Sequence, residues 1–161
     1  MVPFSHTREN GIIQTNPAHG IRKAAYRKRD RRLSHDEYRL LGDLLRQASR
    51  NDQLATTAEI SRALALTGCR RGEILNLDWK EVDIASSCLR LADSKEGASV
   101  RPIGLPVVDL LEAHKPEILV GPVFMGSAAG KPLIGFPKHW LKIVASTPLA
   151  GITPHVLRQL C

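Results

Sequence analysis

Thr67-Gly68-Cys69-Arg70-Arg71-Gly72-Glu73-Ile74 is the stretch on which the reading of this chain turns. Before it, Leu54 to Leu66 is rich in alanine and leucine and predicts a helix. Gly68 is placed to end that helix, because glycine enters the left-handed conformation of a helix C-terminus without steric cost. After it, Arg71 to Leu77 reads as a second, shorter helical segment. Further upstream, Ser34-His35-Asp36-Glu37 is an S-x-x-E capping box, in which hydroxyl and carboxylate satisfy the orphan amides of a helix start. Leu40, Leu41, Leu44 and Leu45 follow at helical spacing and predict an amphipathic helix to about Ala48.

Beyond Leu77 the period changes. Val82-Asp83-Ile84 and Cys88-Leu89-Arg90-Leu91 read as short strands, Glu96-Gly97-Ala98 as a turn, and Val100 to Leu105 as a returning strand. Pro106 opens another helix through Val107-Val108-Asp109-Leu110-Leu111, since proline loses nothing where the amide is unpaired anyway. Phe136 to Ala145 reads as a helix, and Thr153-Pro154 starts one more. The expectation is a mainly α domain with a small antiparallel β-sheet, an α+β fold. There is no internal repeat.

The 161 residues, 43% hydrophobic and 24% charged, suffice for one buried core and fall short of two. No apolar run approaches the roughly 18 residues of a membrane-spanning helix, and the opening Met1 to Asn10 lacks the layout of a secretory signal. A cytoplasmic, nucleoid-associated protein is expected. The three cysteines, Cys69, Cys88 and Cys161, form no C-x-x-C pair and read as reduced thiols. The six histidines show no H-x-x-x-H spacing, so no metal site is implied.

The formal charge of +7 points to a polyanionic partner. Its densest part is Arg22, Lys23, Arg27, Lys28, Arg29, Arg31 and Arg32, opposed only by Asp30. Such a cluster either lies along phosphates, releasing their counterions, or forms a solvated arm. With Asn16-Pro17 and Gly20 it makes the first 32 residues read as linker, ahead of a domain over 33–161.

Four pieces carry chemistry: the opening stretch, Ser94-Lys95-Glu96-Gly97, Val100-Arg101-Pro102-Ile103-Gly104-Leu105-Pro106, and Thr153-Pro154-His155-Val156-Leu157-Arg158. Each alone is weak, since an arginine on a helix is usually solvated and a hairpin lysine usually guards a sheet edge. Together and in this order they resemble the catalytic domain of the tyrosine recombinases, or phage integrases. That family carries an arginine in T-G-x-R-x-x-E, a lysine in a β-hairpin and an H-x-x-R pair. The resemblance covers roughly Leu33 to Arg158. It implies that the first 32 residues are a linker and the tail of a DNA-clamping domain.

By the resemblance, Arg70 and Arg158 clamp the phosphate whose charge grows during in-line cleavage, a task suited to the planar guanidinium fork. Lys95 would protonate the departing 5′-hydroxyl. His155, three residues before Arg158, would face the same phosphate and assist proton transfer. Glu73, one turn after Arg70, has the spacing to hold an arginine, or to make an ordinary intrahelical ion pair. No cofactor is needed, because the transesterification keeps its bond energy in a protein-phosphate link.

The family's nucleophile is a tyrosine downstream of H-x-x-R, after a further His or Trp. Here the two tyrosines are Tyr26 and Tyr38, and both tryptophans, Trp79 and Trp140, also precede His155. Gln159-Leu160-Cys161 lacks the hydroxyl residue common after that arginine. The expected function is a site-specific recombinase or integrase domain, its present polypeptide truncated before the nucleophile and inactive alone. The expected partners are duplex DNA and further protomers in a tetrameric synapse. A non-enzymatic DNA-binding remnant is the alternative, and a type IB topoisomerase shares the chemistry.

Overall fold

Reciprocal hydrogen bonds open the first helix. The Glu37 amide donates to Ser34 Oγ at 3.3 Å and the Ser34 amide to the Glu37 carboxylate at 2.8 Å. Helix α1 then runs His35–Ala48 with Leu41, Leu45 and Ala48 buried. In this computed structural model residues 31–92, 97–126 and 130–160 are described, residues 159 and 160 by backbone alone. They fall in a compact unit that starts at Arg31.

Helix α2, Ala55–Thr67, is the centre of that unit. Thr57, Ala58, Ile60, Ser61, Ala63 and Leu64 are all buried, which covers most of the helix circumference. Such all-round burial demands partners on several sides; α1 and the later helices supply them. Ser61 donates its hydroxyl to the Thr57 carbonyl at 2.7 Å, so a polar side chain sits in the core without an unmet group. Gly68 ends the helix at φ 63° and its amide donates to the Leu64 carbonyl at 3.1 Å. Helix α3 follows at Arg71–Leu75.

The sheet is antiparallel, in order β1 (Val82–Asp83), β2 (Cys88–Leu91) and β3 (Ser99–Pro102). Leu89 pairs with Arg101 and Leu91 with Ser99. The returning strand is shorter than the sequence predicts. It stops at Pro102 because Gly104 becomes the N-cap of helix α4, Leu105–Glu112, and the Gly104 carbonyl accepts from the Val107 and Val108 amides at 2.9 and 3.2 Å. A 3₁₀ turn at Trp79–Glu81 precedes β1, capped by Asp78, whose carboxylate accepts from the Lys80 amide at 3.1 Å. Asp78…Glu81 is a second capping box that the strand reading of this region passed over.

Helix α5, Phe136–Val144, buries Phe136, Trp140, Ile143 and Val144. The last element, Pro154–Leu160, is a 3₁₀ helix rather than the α-helix its proline start suggests. Trp140 ties the two regions, its indole N–H donating to the Ile152 carbonyl at 2.7 Å inside the core. Leu157 is fully buried.

Removing the indole donor should leave that carbonyl unmet. Trp140→Phe is expected to cost on the order of 1–3 kcal/mol in urea unfolding, and an unchanged midpoint would remove the bond from the account.

A second cross-link titrates. His114, just after α4, brings Nε2 to 3.2 Å from Glu59 Oε1 on α2, with its ring edge-on to Phe124. The hydrogen bond to Glu59 raises the His114 pKa above its ordinary 6.5, outweighing the opposite effect of burial. A raised folded-state pKa gives stability that is complete below the unfolded value and lost as pH rises through the folded one. Thermal melts should therefore separate Glu59→Gln from the unaltered chain at about pH 5.5 and bring them together at about pH 9. A gap independent of pH would contradict this.

Candidate active site

Thr67 shapes the turn that presents Arg70. Its hydroxyl donates to the Ala63 carbonyl at 2.7 Å and accepts from the Cys69 amide at 3.2 Å. The backbone is thereby steered from the left-handed Gly68 into the start of α3. Glu73 then closes on Arg70 twice, accepting its amide at 2.6 Å and its guanidinium Nη1 at 3.1 Å. The Glu73 side chain is only 5% exposed and that of Arg70 25%. Glu73 is thus an ion-pair partner of Arg70 and also a helix cap, a role the sequence reading did not assign to it.

Arg158 arrives from the other end of the chain. Its Nε–H donates to the Gly68 carbonyl at 2.9 Å, across a sequence separation of 90 residues. The bond uses one of five guanidinium N–H groups. His155 lies three residues earlier on the same 3₁₀ helix. Three residues make one turn of that helix, so the two side chains eclipse and share a face.

An open cleft of about 290 Å³ lies here, lined by Leu64, Cys69, Arg71, Gly72, Pro154, His155 and Arg158. Two guanidiniums and an imidazole line it, and among the described residues no carboxylate does. Arg71 is in this wall and Arg70 is not, a placement the sequence reading missed. The signal was present as consecutive arginines at a helix start, where neighbouring side chains diverge. Cys69 is buried, and burial pushes its thiol pKa up. The nearby charges of Arg101 and Arg158 act in the opposite sense.

Of the expected site residues, the structure brings Arg158 and His155 to the turn that carries Arg70 and Glu73. Lys95 lies outside the described residues, as do Arg22, Lys23, Arg27, Lys28 and Arg29. Arg31, expected as a DNA contact, pairs with Glu37 and also donates to the Arg32 carbonyl at 3.0 Å, with half of its side chain still exposed. That pairing holds the Glu37 carboxyl below its usual range. Arg32 is exposed. Tyr38 packs partly against the core, and desolvation raises its pKa, which disfavours the phenolate.

The double role of Glu73 is measurable. Glu73→Ala should lose on the order of 1–3 kcal/mol in urea unfolding, since it strands both a partly buried amide and a partly buried guanidinium. Glu73→Gln keeps an acceptor oxygen and should lose less. Equal losses in the two variants would argue against the capping role.

No family model and no curated protein sequence matches the chain. Solved structures do. A lambda integrase dimer bound to a COC′ core site aligns at 23% identity and TM-score 0.67, over 98% of this chain and 58% of that one. A lambda integrase tetramer bound to a Holliday junction aligns at 22% and 0.64, over 98% and 48%. XerA recombinase aligns at 19% and 0.59, over 94% and 54%. The chain spans between about half and three fifths of the length of these structures. With its α2-centred helices, three-stranded sheet and terminal 3₁₀ turn, the chain has the fold of a tyrosine recombinase catalytic domain.

Proposed function

We propose that this chain is the catalytic domain of a DNA-breaking and rejoining recombinase or integrase. The observation that carries the reading is the cleft lined by Arg71, His155 and Arg158, with no carboxylate among its described residues, next to the turn that holds Arg70 on Glu73. A concave site with that much positive charge favours a multiply charged oxyanion. The likeness of fold to integrases solved on DNA supports choosing a phosphodiester.

In this reading Arg158 and Arg70 hold the non-bridging oxygens of the scissile phosphate. Their forked N–H groups strengthen as charge develops in the in-line displacement. Arg158 is fixed for that task by its own bond to the Gly68 carbonyl, and Arg70 by Glu73. His155 hydrogen-bonds the same phosphate and assists proton movement. Lys95 donates the proton to the 5′-oxygen as it leaves. The basic residues among the first 32, Arg22, Lys23, Arg27, Lys28 and Arg29 above all, lie along the flanking backbone. Further protomers on the DNA complete a synapse, by analogy with the lambda integrase tetramer on a Holliday junction.

The attacking group would be a tyrosine downstream of Arg158. Tyr38, with its pKa raised by desolvation, is unsuited to it. The 161-residue polypeptide by itself therefore binds duplex DNA without forming a 3′-phosphotyrosyl bond.

A nicked suicide duplex, resolved on a denaturing gel, tests this. The polypeptide alone should leave no covalent band, while a chain carried on through a downstream tyrosine should give one. In that longer chain Arg70→Ala and Arg158→Ala are each expected to slow adduct formation on the order of a hundredfold to a thousandfold. A covalent band from the polypeptide alone would overturn the assignment of the nucleophile. Unaltered rates in both arginine variants would remove the clamp.

A further inference from the structure

The arginines of this region differ in what occupies them. Arg70 is held by Glu73 through its amide and its Nη1. Arg158 gives its Nε–H to the Gly68 carbonyl. Arg101, on the inner face of β3, pairs in register with the fully buried Leu89; its Nε is buried, and it takes no part in lining the cleft. Arg71 differs from all three. It lines the cleft, it is exposed, and among the described residues its side chain has no hydrogen bond and no ion pair.

That freedom follows from the start of α3. Arg70 is the N-cap residue and Arg71 the first residue of the helix. Successive helical residues are rotated by about 100°, so Glu73, which closes back on Arg70, leaves Arg71 pointing elsewhere. Gly72 comes next and also lines the cleft, exposed and with nothing within 4 Å of where a Cβ would sit. The α3 wall is therefore open to a ligand along Arg71 and Gly72.

We propose that Arg71 binds a DNA backbone phosphate next to the scissile one, supplying affinity and register rather than transition-state stabilisation. The proposal rests on the reading of the cleft as a DNA-phosphate site. A group that stabilises a transition state must already be fixed where charge develops. Arg70 and Arg158 are fixed in that way, by Glu73 and by the Gly68 carbonyl. Arg71 has no such holder and keeps its hydration until a phosphate meets it. A contact of this kind is equally strong before and during the displacement, so it lowers the DNA concentration needed and leaves the barrier to the fixed pair. Because Arg70 and Arg71 diverge from one turn, they reach different points of the backbone. The competing account of Arg71 is a solvated charge that acts through the net charge alone.

Anisotropy of a short fluorescent duplex with the 161-residue chain, from low to moderate salt, separates the two. Arg71→Gln should weaken low-salt binding about tenfold and lower the slope of log affinity against log salt by about one. Since Arg71 holds no partner, its urea midpoint should stay in place. Arg71→Lys should keep the slope and recover part of the affinity, because it keeps the charge and loses the fork. Arg46→Gln removes an equal charge from an exposed arginine of α1 outside the cleft lining, and should change the slope much less. Equal effects of Arg71→Gln and Arg46→Gln identify net charge as the cause and overturn the contact. An unaltered slope in Arg71→Gln beside a lower one in Arg158→Gln also overturns it, and leaves the cleft reading standing. No binding by the unaltered chain at low salt removes both. In a chain carried on through a downstream tyrosine, Arg71→Gln should raise the half-saturating DNA concentration about tenfold. Its saturated adduct rate should fall far less than the hundredfold or more expected of Arg158→Ala, on the order that loss of one fixed donor brings. A loss of about a hundredfold at saturation would put Arg71 on the scissile phosphate and overturn its assignment to the neighbouring one.

Discussion

The hydrogen bond from Arg158 Nε to the Gly68 carbonyl, 2.9 Å long and spanning 90 residues, is the constraint on which the site depends. A helix C-terminus leaves carbonyls without partners, and a cation there is favoured by both hydrogen bonding and the local dipole. Arg158 meets that need at the end of α2. In doing so it brings the terminal 3₁₀ helix, and His155 with it, against the turn that leads to Arg70. Leu157, fully buried between them in sequence, supplies the apolar anchor for the same contact. Local helix chemistry and the assembly of the cleft are therefore served by a single bond.

Around that bond the turn is built in layers of decreasing locality. Thr67 fixes the backbone through its own helix and the amide two residues on. Gly68 supplies the left-handed conformation, at φ 63°, that ends α2. Glu73 then returns from α3 to hold both the amide and the guanidinium of Arg70. Thr, Gly, Arg and Glu of this stretch each have a structural reason that is independent of any substrate. The turn is consequently preformed, and under the proposed function it would cost little reorganisation on meeting a phosphate.

Much of this was legible in the sequence because it is local. Ser34…Glu37 and Gly68 are helix boundary signals whose geometry depends on a few neighbouring residues, and both fall where expected. The three-stranded sheet followed from a change of period. What was not legible depends on where segments go in space. The shortening of β3 came from competition with α4, whose N-cap Gly104 claims residues that alternation alone assigned to the strand. Arg31 was counted with its basic neighbours, yet Glu37, a capping residue, also reaches it. Arg71 was overshadowed by Arg70, and only the arrival of the terminal 3₁₀ helix distinguishes their surroundings. The inward face of Arg101 was encoded by register with Leu89, which no count of charges reveals.

The charges gathered at the cleft are what the proposed function turns on. Among the described residues, Arg71, His155 and Arg158 share a wall with no acidic side chain. The nearby carboxylate, Glu73, is already committed to Arg70 and its amide and is almost wholly shielded from solvent. Like charges gathered on a concave surface repel one another, and low-dielectric walls weaken the screening that water gives. Apart from the bond of Arg158 to the Gly68 carbonyl, a cation cluster of this kind opposes folding until a counter-charge meets it. Under the proposed function, an anion with several oxygens, approached from the open side of the cleft, supplies that counter-charge.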